Sequence, residues 1–320
     1  MIRLLLSTFF LVSFSFFSLG INLSGNITSN TVLGGKINVT ADVFVSSGIS
    51  LTFLDETTLI MSEGVSIIGH SGASLIFAGS LGFGIEIKPL VFGTYWGKIE
   101  AEGTNSSLLM HHVSMQGGHI NVISNGSAML EDCSIRQYYK GDIPIIRTEN
   151  AFDFQMRRSF ISNYYEVNII STPALIEDCI FQFMTADGID FDNSPAGTTL
   201  RRSIFRFGKG TNIDAIDFGK VDFMGNGSIG LIQQCLIHDI SDKGVSIGEG
   251  AQEINVEGCL MYNCGAGVAV KDNSYGRIYN NTFVNNEVAI ELVEKNPGLG
   301  GGHGYTYNNI FRDNEVSFYM

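Results

Sequence analysis

Two stretches, TADGIDFDN at 185–193 and NIDAIDFGK at 212–220, repeat one shape with their central aspartates 27 residues apart. Asp190 stands between Ile189 and Phe191, and Asp217 between Ile216 and Phe218. Side chains alternate between the faces of a strand, so the apolar flanks point one way and the aspartate the other. A looser copy, SDKGVSIGE, follows at 241–249. The middle residues of all such triplets are Asn121, Pro144, Asn168, Asp190, Asp217, Ser246, Ala269, Glu291 and Ser317, at intervals of 22 to 29 residues.

A second column keeps the same period. The segments LEDCSI, MRRSFI, LIEDCIF, LRRSIF, IQQCLI, VEGCLM, YNNTFV and YNNIF align Cys133, Ser159, Cys179, Ser203, Cys235, Cys259, Thr282 and Ile310. Four of the five cysteines therefore share one small-residue slot. They read as buried thiols, with a Cys235–Cys259 bridge as the alternative in an oxidising compartment. The pairs before that slot run Glu131-Asp132, Arg157-Arg158, Glu177-Asp178, Arg201-Arg202 and Gln233-Gln234. On stacked turns ~4.8 Å apart, such alternation builds an ion-pair ladder between turns.

A repeat of this length with short strands and no helical pattern describes an all-β, right-handed parallel β-helix. Leucine-rich repeats have similar periods, but their Leu-x-x-Leu-x-Leu signature is absent. Residues 21–120 keep the strand pattern without tidy columns and read as the capping and first turns. Residues 121–320 form the regular turns, and no linker divides 21–320. Trp96, the only tryptophan, is expected to pack over the first regular turn.

The composition agrees: 38 Gly, 5 Pro and 16% charged residues in a chain of 320. With 19 Lys plus Arg against 32 Asp plus Glu, the net charge is -13. A surface without a basic stripe excludes nucleic acid as a partner. MIRLLLSTFFLVSFSFFSLG, residues 1–20, has a basic start, an apolar run and small residues at Ser18 and Gly20. This is the pattern of a secretory signal peptide, with a retained anchor as the competing reading. After its cleavage no membrane contact is expected, and the location is secreted or cell-surface. The sequence stops at NEVSFYM without a polar cap. Either the chain is incomplete there, or self-association through the open turn is expected.

The repeat resembles the pectate-lyase-like superfamily over residues 21–320, most closely exported bacterial β-helix repeat proteins, on DGID, DKGVSIGE, GVAVKD and AIELVEKNP. A sharper echo is to polygalacturonases, which carry Asn-Thr-Asp-Gly, Asp-Asp, Gly-His-Gly and Arg-Ile-Lys on successive turns. Here those turns read TADG, IDA, DKG and VAVK, so that Asp187, Asp214, Gly244 and Lys271 match. Ile213, Lys243 and Ala269 depart from the pattern. Ile213 stands where the resemblance implies the proton donor, and Ala269 where it implies a clamp on a substrate carboxylate.

The resemblance implies a polysaccharide partner and makes Asp187, Asp190, Asp214 and Asp217 the catalytic candidates. Lys243, Lys271, Tyr139 and Tyr165 are the substrate-binding candidates, the tyrosines as a stacking platform or as peripheral core. Two carboxylates one strand apart cannot both ionise cheaply, so one holds a proton or a cation lies between them. Asp190, Asp192 and Asp217 are the candidate calcium ligands, and no other cofactor is expected. The competing reading makes Asp187 and Asp214 turn residues that bond their own backbone, in a non-enzymatic surface or adhesion scaffold.

Overall fold

The computed structural model describes residues 20–137, 141–221 and 225–320. Residues 1–19, and with them the export-signal reading, lie outside the described residues. So does Tyr139. The described chain is a parallel β-solenoid without an α-helix, and no helix in it is long and apolar enough to cross a membrane.

Each regular turn contributes a strand to a 12-stranded sheet and two strands to a 22-stranded sheet. One turn shows the pattern. Thr199–Arg201 lies in the first sheet, Ile204–Gly208 and Ile216–Gly219 in the second. Strand interiors alternate because every second side chain enters the axis: Ile189, Phe191, Ile216 and Phe218 are fully buried. Like residues stack on like, with Phe191–Phe218 and Phe181–Phe205 both at 4.6 Å between ring centres. Trp96 is wholly buried and donates Nε1 to the Gln116 carbonyl at 2.7 Å. Gly118 lies flat against it, where a Cβ would come within 2.5 Å of the indole.

The corners turn on residues in the left-handed region, where Asn and Asp are tolerated best. The corner before the small-residue slot uses Asp132, Arg158, Asp178, Arg202 and Gln234, with φ between 45° and 58°. Their side chains, with those before them, build the expected ladder. Arg158 reaches Glu131 at 2.6 Å and Asp132 at 2.9 Å. Arg157 meets Glu177 at 3.1 Å, Arg201 meets Glu177 at 2.6 Å, and Arg202 meets Asp178 at 2.8 Å. His111 extends the run, 3.0 Å from Glu131.

The slot itself is a hydrogen-bond column. Cys133 N–H donates to Ser159 Oγ and Cys179 N–H to Ser203 Oγ, both at 3.1 Å. All five cysteines are free and buried. Two column assignments need correction at the C-terminal end. Leu260 pairs with Thr282, and Thr282 with Ile310, so Cys259 is followed by Asn281 and Asn309. The reason is a bond that neither Thr282 nor Ile310 makes: Asn281 Oδ1 accepts the Cys259 N–H at 2.8 Å. On the outward column, Asn121 pairs with Arg147 and not Pro144. Proline has no N–H for the ladder and sits in the preceding turn. Glu291 pairs with Tyr319 and not Ser317.

Candidate functional site

The face that carries the aspartates runs through His119–Ile123, Ile146–Glu149, Val167–Ile170, Ile189–Asp192 and Ile216–Gly219. It continues into the second halves of Leu236–Ile247 and Leu260–Lys271. Register puts Asn168, Asp190, Asp217, Ser246 and Ala269 in one row. On the early turns the charges of this face find opposite partners: Lys98 bonds Glu100 at 2.6 Å, and Arg147 bonds Glu149 at 2.7 Å. At Asp190 and Asp217 two carboxyls stack directly.

The second carboxylate pair lies just ahead of these strands. Asp187 Oδ1 accepts the Asp214 N–H at 2.8 Å, and Asp214 Oδ1 accepts the Lys243 N–H at 3.0 Å. Each therefore binds the backbone of the next turn, a structural role between turns rather than within one. Asp190 accepts from Asn168 Nδ2 at 2.8 Å. Asp217 has no hydrogen-bond or ion-pair partner among the described residues.

Burial disfavours ionised carboxyls, and the neighbouring carboxylates add to the effect. Burial pushes Asp190 up to about 8, reinforced by Asp192, Asp217 and Glu166. Burial likewise pushes Asp187 up to about 7, opposed by the Asp214 N–H and reinforced by the Asp214 carboxylate. Asp214 rises to about 6, burial outweighing the Lys243 ammonium. Glu166 is also raised, by burial and then by Asp192.

The two lysines behave differently. Lys243 is buried and held by Asp242 at 2.5 Å and Asp214 at 3.4 Å, so its charge is consumed inside the protein. Lys271 shares with Asp214 and Asp217 a cleft of about 50 Å³, also lined by Glu249, Asp272 and Lys295. Gly248 makes room for it, since a Cβ there would meet Lys271 Cε at 3.1 Å. Lys295 comes from the turn after Val288–Val293 and reaches Asn212 Oδ1 at 3.5 Å, bridging three turns of the face. Ser246, in the outward row, is fully buried, and its Oγ has no hydrogen-bond partner. The face is closed over at that turn.

Tyr165 is half-buried beside Glu166 and Asp187, whose charges add to burial in raising its hydroxyl. Tyr164 is core, its hydroxyl donating to the Gly188 carbonyl at 3.2 Å. The candidate calcium ligands do not converge. Asp192 is paired with Lys220, and among the described residues no three His, Cys, Asp or Glu side chains form a group able to hold a metal ion.

Sequence reasoning missed Glu249, Asp272, Lys295 and Lys220. They lie in turns of unequal length, which break the period that found the aspartates.

Residues 188–319 match a family model described as right handed beta helix region. The fold is that of a right-handed parallel β-helix. Solved structures with this β-helix architecture include PfbA, a surface adhesin of Streptococcus pneumoniae. It has a TM-score of 0.50 at 12% identity, over 91% of this chain and 85% of that one. The catalytic domain of a GH87 α-1,3-glucanase in complex with nigerose has 0.49 at 11%, over 85% of this β-helix and 61% of its own length. The A-module of the Azotobacter vinelandii mannuronan C-5 epimerase AlgE4 has 0.45 at 11%, over 88% and 89%. At these identities the likeness is one of fold. No curated protein matches the β-helix in sequence.

Proposed function

We propose that the aspartate face binds a polysaccharide outside the cytoplasm and acts on a glycosidic bond through Asp190 and Asp217. The carrying observation is a pair of directly stacked carboxyls beside a cleft, on a protein that pairs opposite charges elsewhere along the same face. Asp190, pushed up to about 8, keeps its proton at neutral pH and can donate it to a leaving oxygen. Asp217 lines the cleft without a partner and is the group left to activate water or contact a sugar. Lys271 supplies the one cation on the same wall that comes from a strand of the face, suited to a hydroxyl- or carboxylate-bearing sugar. Asp187 and Asp214 hold the turns in place and act through position. Their bonds run to the backbone of the next turn and not to their own, which is a different role from the one weighed above, and calcium enters no step because the donor set does not fit it.

The test is release of reducing ends and of unsaturated uronates across a polysaccharide panel, with and without calcium. Release from one glycan, lost by ~100-fold or more in Asp190→Asn or Asp217→Asn with no fall in melting temperature, supports the reading. Silence across the panel, in folded protein, sinks it. Glycan retention without release selects the second reading, a binding surface without turnover. That reading is favoured by Ile213 and Ala269, which stand where the polygalacturonase pattern has its donor and clamp, and it agrees with a fold shared with an adhesin.

A further inference from the structure

A much larger groove, of about 650 Å³, lies away from the aspartates, at the bend between the last two strands of each turn. The bend is held by a left-handed residue on successive turns: Asn163, Phe183, Phe207, Asp239, Asn263, Asn285 and Asp313, with φ between 53° and 64°. Five of these are Asn or Asp, which accept that conformation readily. A phenylalanine there is a conformational outlier. Two adjacent turns nonetheless use one, and burial does not offset the strain, because Phe183 is 44% exposed and Phe207 only half-buried. Strain retained where burial returns little points to a function.

The rings form a track. Phe183 stacks on Phe207 with centres 5.3 Å apart, and Phe207 meets the His238 ring edge-on at 5.6 Å. His238 stacks on Tyr262 at 4.7 Å, within 5° of parallel. Four consecutive turns thus contribute one aromatic ring each, along the axis. Phe207 also lines the groove, where Asp239, Asn263, Asn285 and Asp313 follow at one side chain per turn.

We propose that this track and groove form a second carbohydrate site, separate from the aspartate face, that holds a neutral glycan along the solenoid axis. The rings cover one another's faces and His238 is buried, so the exposed edges of Phe183 and Phe207 are what the apolar face of a sugar ring can pack against. Carboxylates and carboxamides rising ~4.8 Å per turn supply acceptors and donors for successive hydroxyls. The groove sets four carboxylates, Asp239, Glu287, Asp313 and Glu315, against one cation, Lys209. That balance repels uronate and sulfated chains. A basic peptide suits the carboxylates but not the carboxamides between them.

The test is affinity electrophoresis of the protein in gels containing a neutral glucan, mannan or galactan, with polygalacturonate, alginate and polylysine as controls. At least one neutral glycan retards the protein. The double variant Phe183→Asn, Phe207→Asn loses at least ten-fold in affinity while its melting temperature stays level or rises, because asparagine suits the corner. All of these runs are made in the Asp190→Asn, Asp217→Asn background, in which the aspartate face is disabled, so failure of the aspartate reading and failure of this one are read separately. No retardation by any neutral glycan overturns the proposal. So does retardation that survives the double variant, or a preference for polylysine. A large fall in melting temperature in the double variant also overturns it, since the rings would then serve the fold.

Discussion

The β-helix carries two charged columns built on the same rise, and they are arranged in opposite ways. At the corner, Glu131, Arg157, Glu177 and Arg201 alternate in sign and interlock through several ion pairs. On the face, Asp190 lies on Asp217, and Asp187 bonds the backbone of Asp214, with no sign change between them. Any solenoid could alternate both columns. The corner shows what stacking looks like when only stability matters. The face departs from that arrangement, and the departure marks it as the candidate site more clearly than the aspartates do themselves.

The comparison breaks most visibly if the corner is made to resemble the face. Arg157→Glu with Arg158→Glu sets three consecutive acidic turns against one another, from Glu131-Asp132 to Glu177-Asp178. The melting temperature should fall by roughly 5 °C or more, read by calorimetry at low salt. An unchanged value would mean that the ladder contributes nothing.

A smaller effect tests the face. The folded chain keeps a proton on Asp190 up to about 8, whereas an ordinary aspartate releases it near 3.8. Between those values the folded state binds more protons, so this group's contribution to stability falls as pH rises. Asp190→Asn should therefore raise the melting temperature by a few degrees at pH 9 and leave it level at pH 4. Equal curves for variant and parent would show that Asp190 is not held protonated.

The smallest effect separates causes. Burial is the leading reason for the Asp190 shift, and the Asp217 carboxylate adds to it. In Asp217→Asn, a carboxyl titration followed by NMR should move Asp190 down only part of the way toward the ordinary range. A full return would give the neighbouring charge the leading role.

Much of this was legible in the sequence because a parallel solenoid repeats its backbone, so residues with one job recur at one interval. The outward row from Asn168 to Glu291, the buried cysteine slot and the ladder all follow from that. The reading slipped where one period was carried through a change of turn. Pro144 stood in for Arg147, Ser317 for Tyr319, and Thr282 for Asn281. In each case a backbone bond or register outweighed the resemblance of side chains.

The sequence by itself determined the fold, the period and the placement of Asp190 and Asp217 on one face, since alternation and spacing are local properties. Only the tertiary structure decided what surrounds them. It withdrew Lys243 into a buried pair, left Lys271 at the cleft, brought Lys295 across three turns and turned Phe183 and Phe207 outward. Those outcomes depend on turn length and on φ at single corners, which no periodicity encodes.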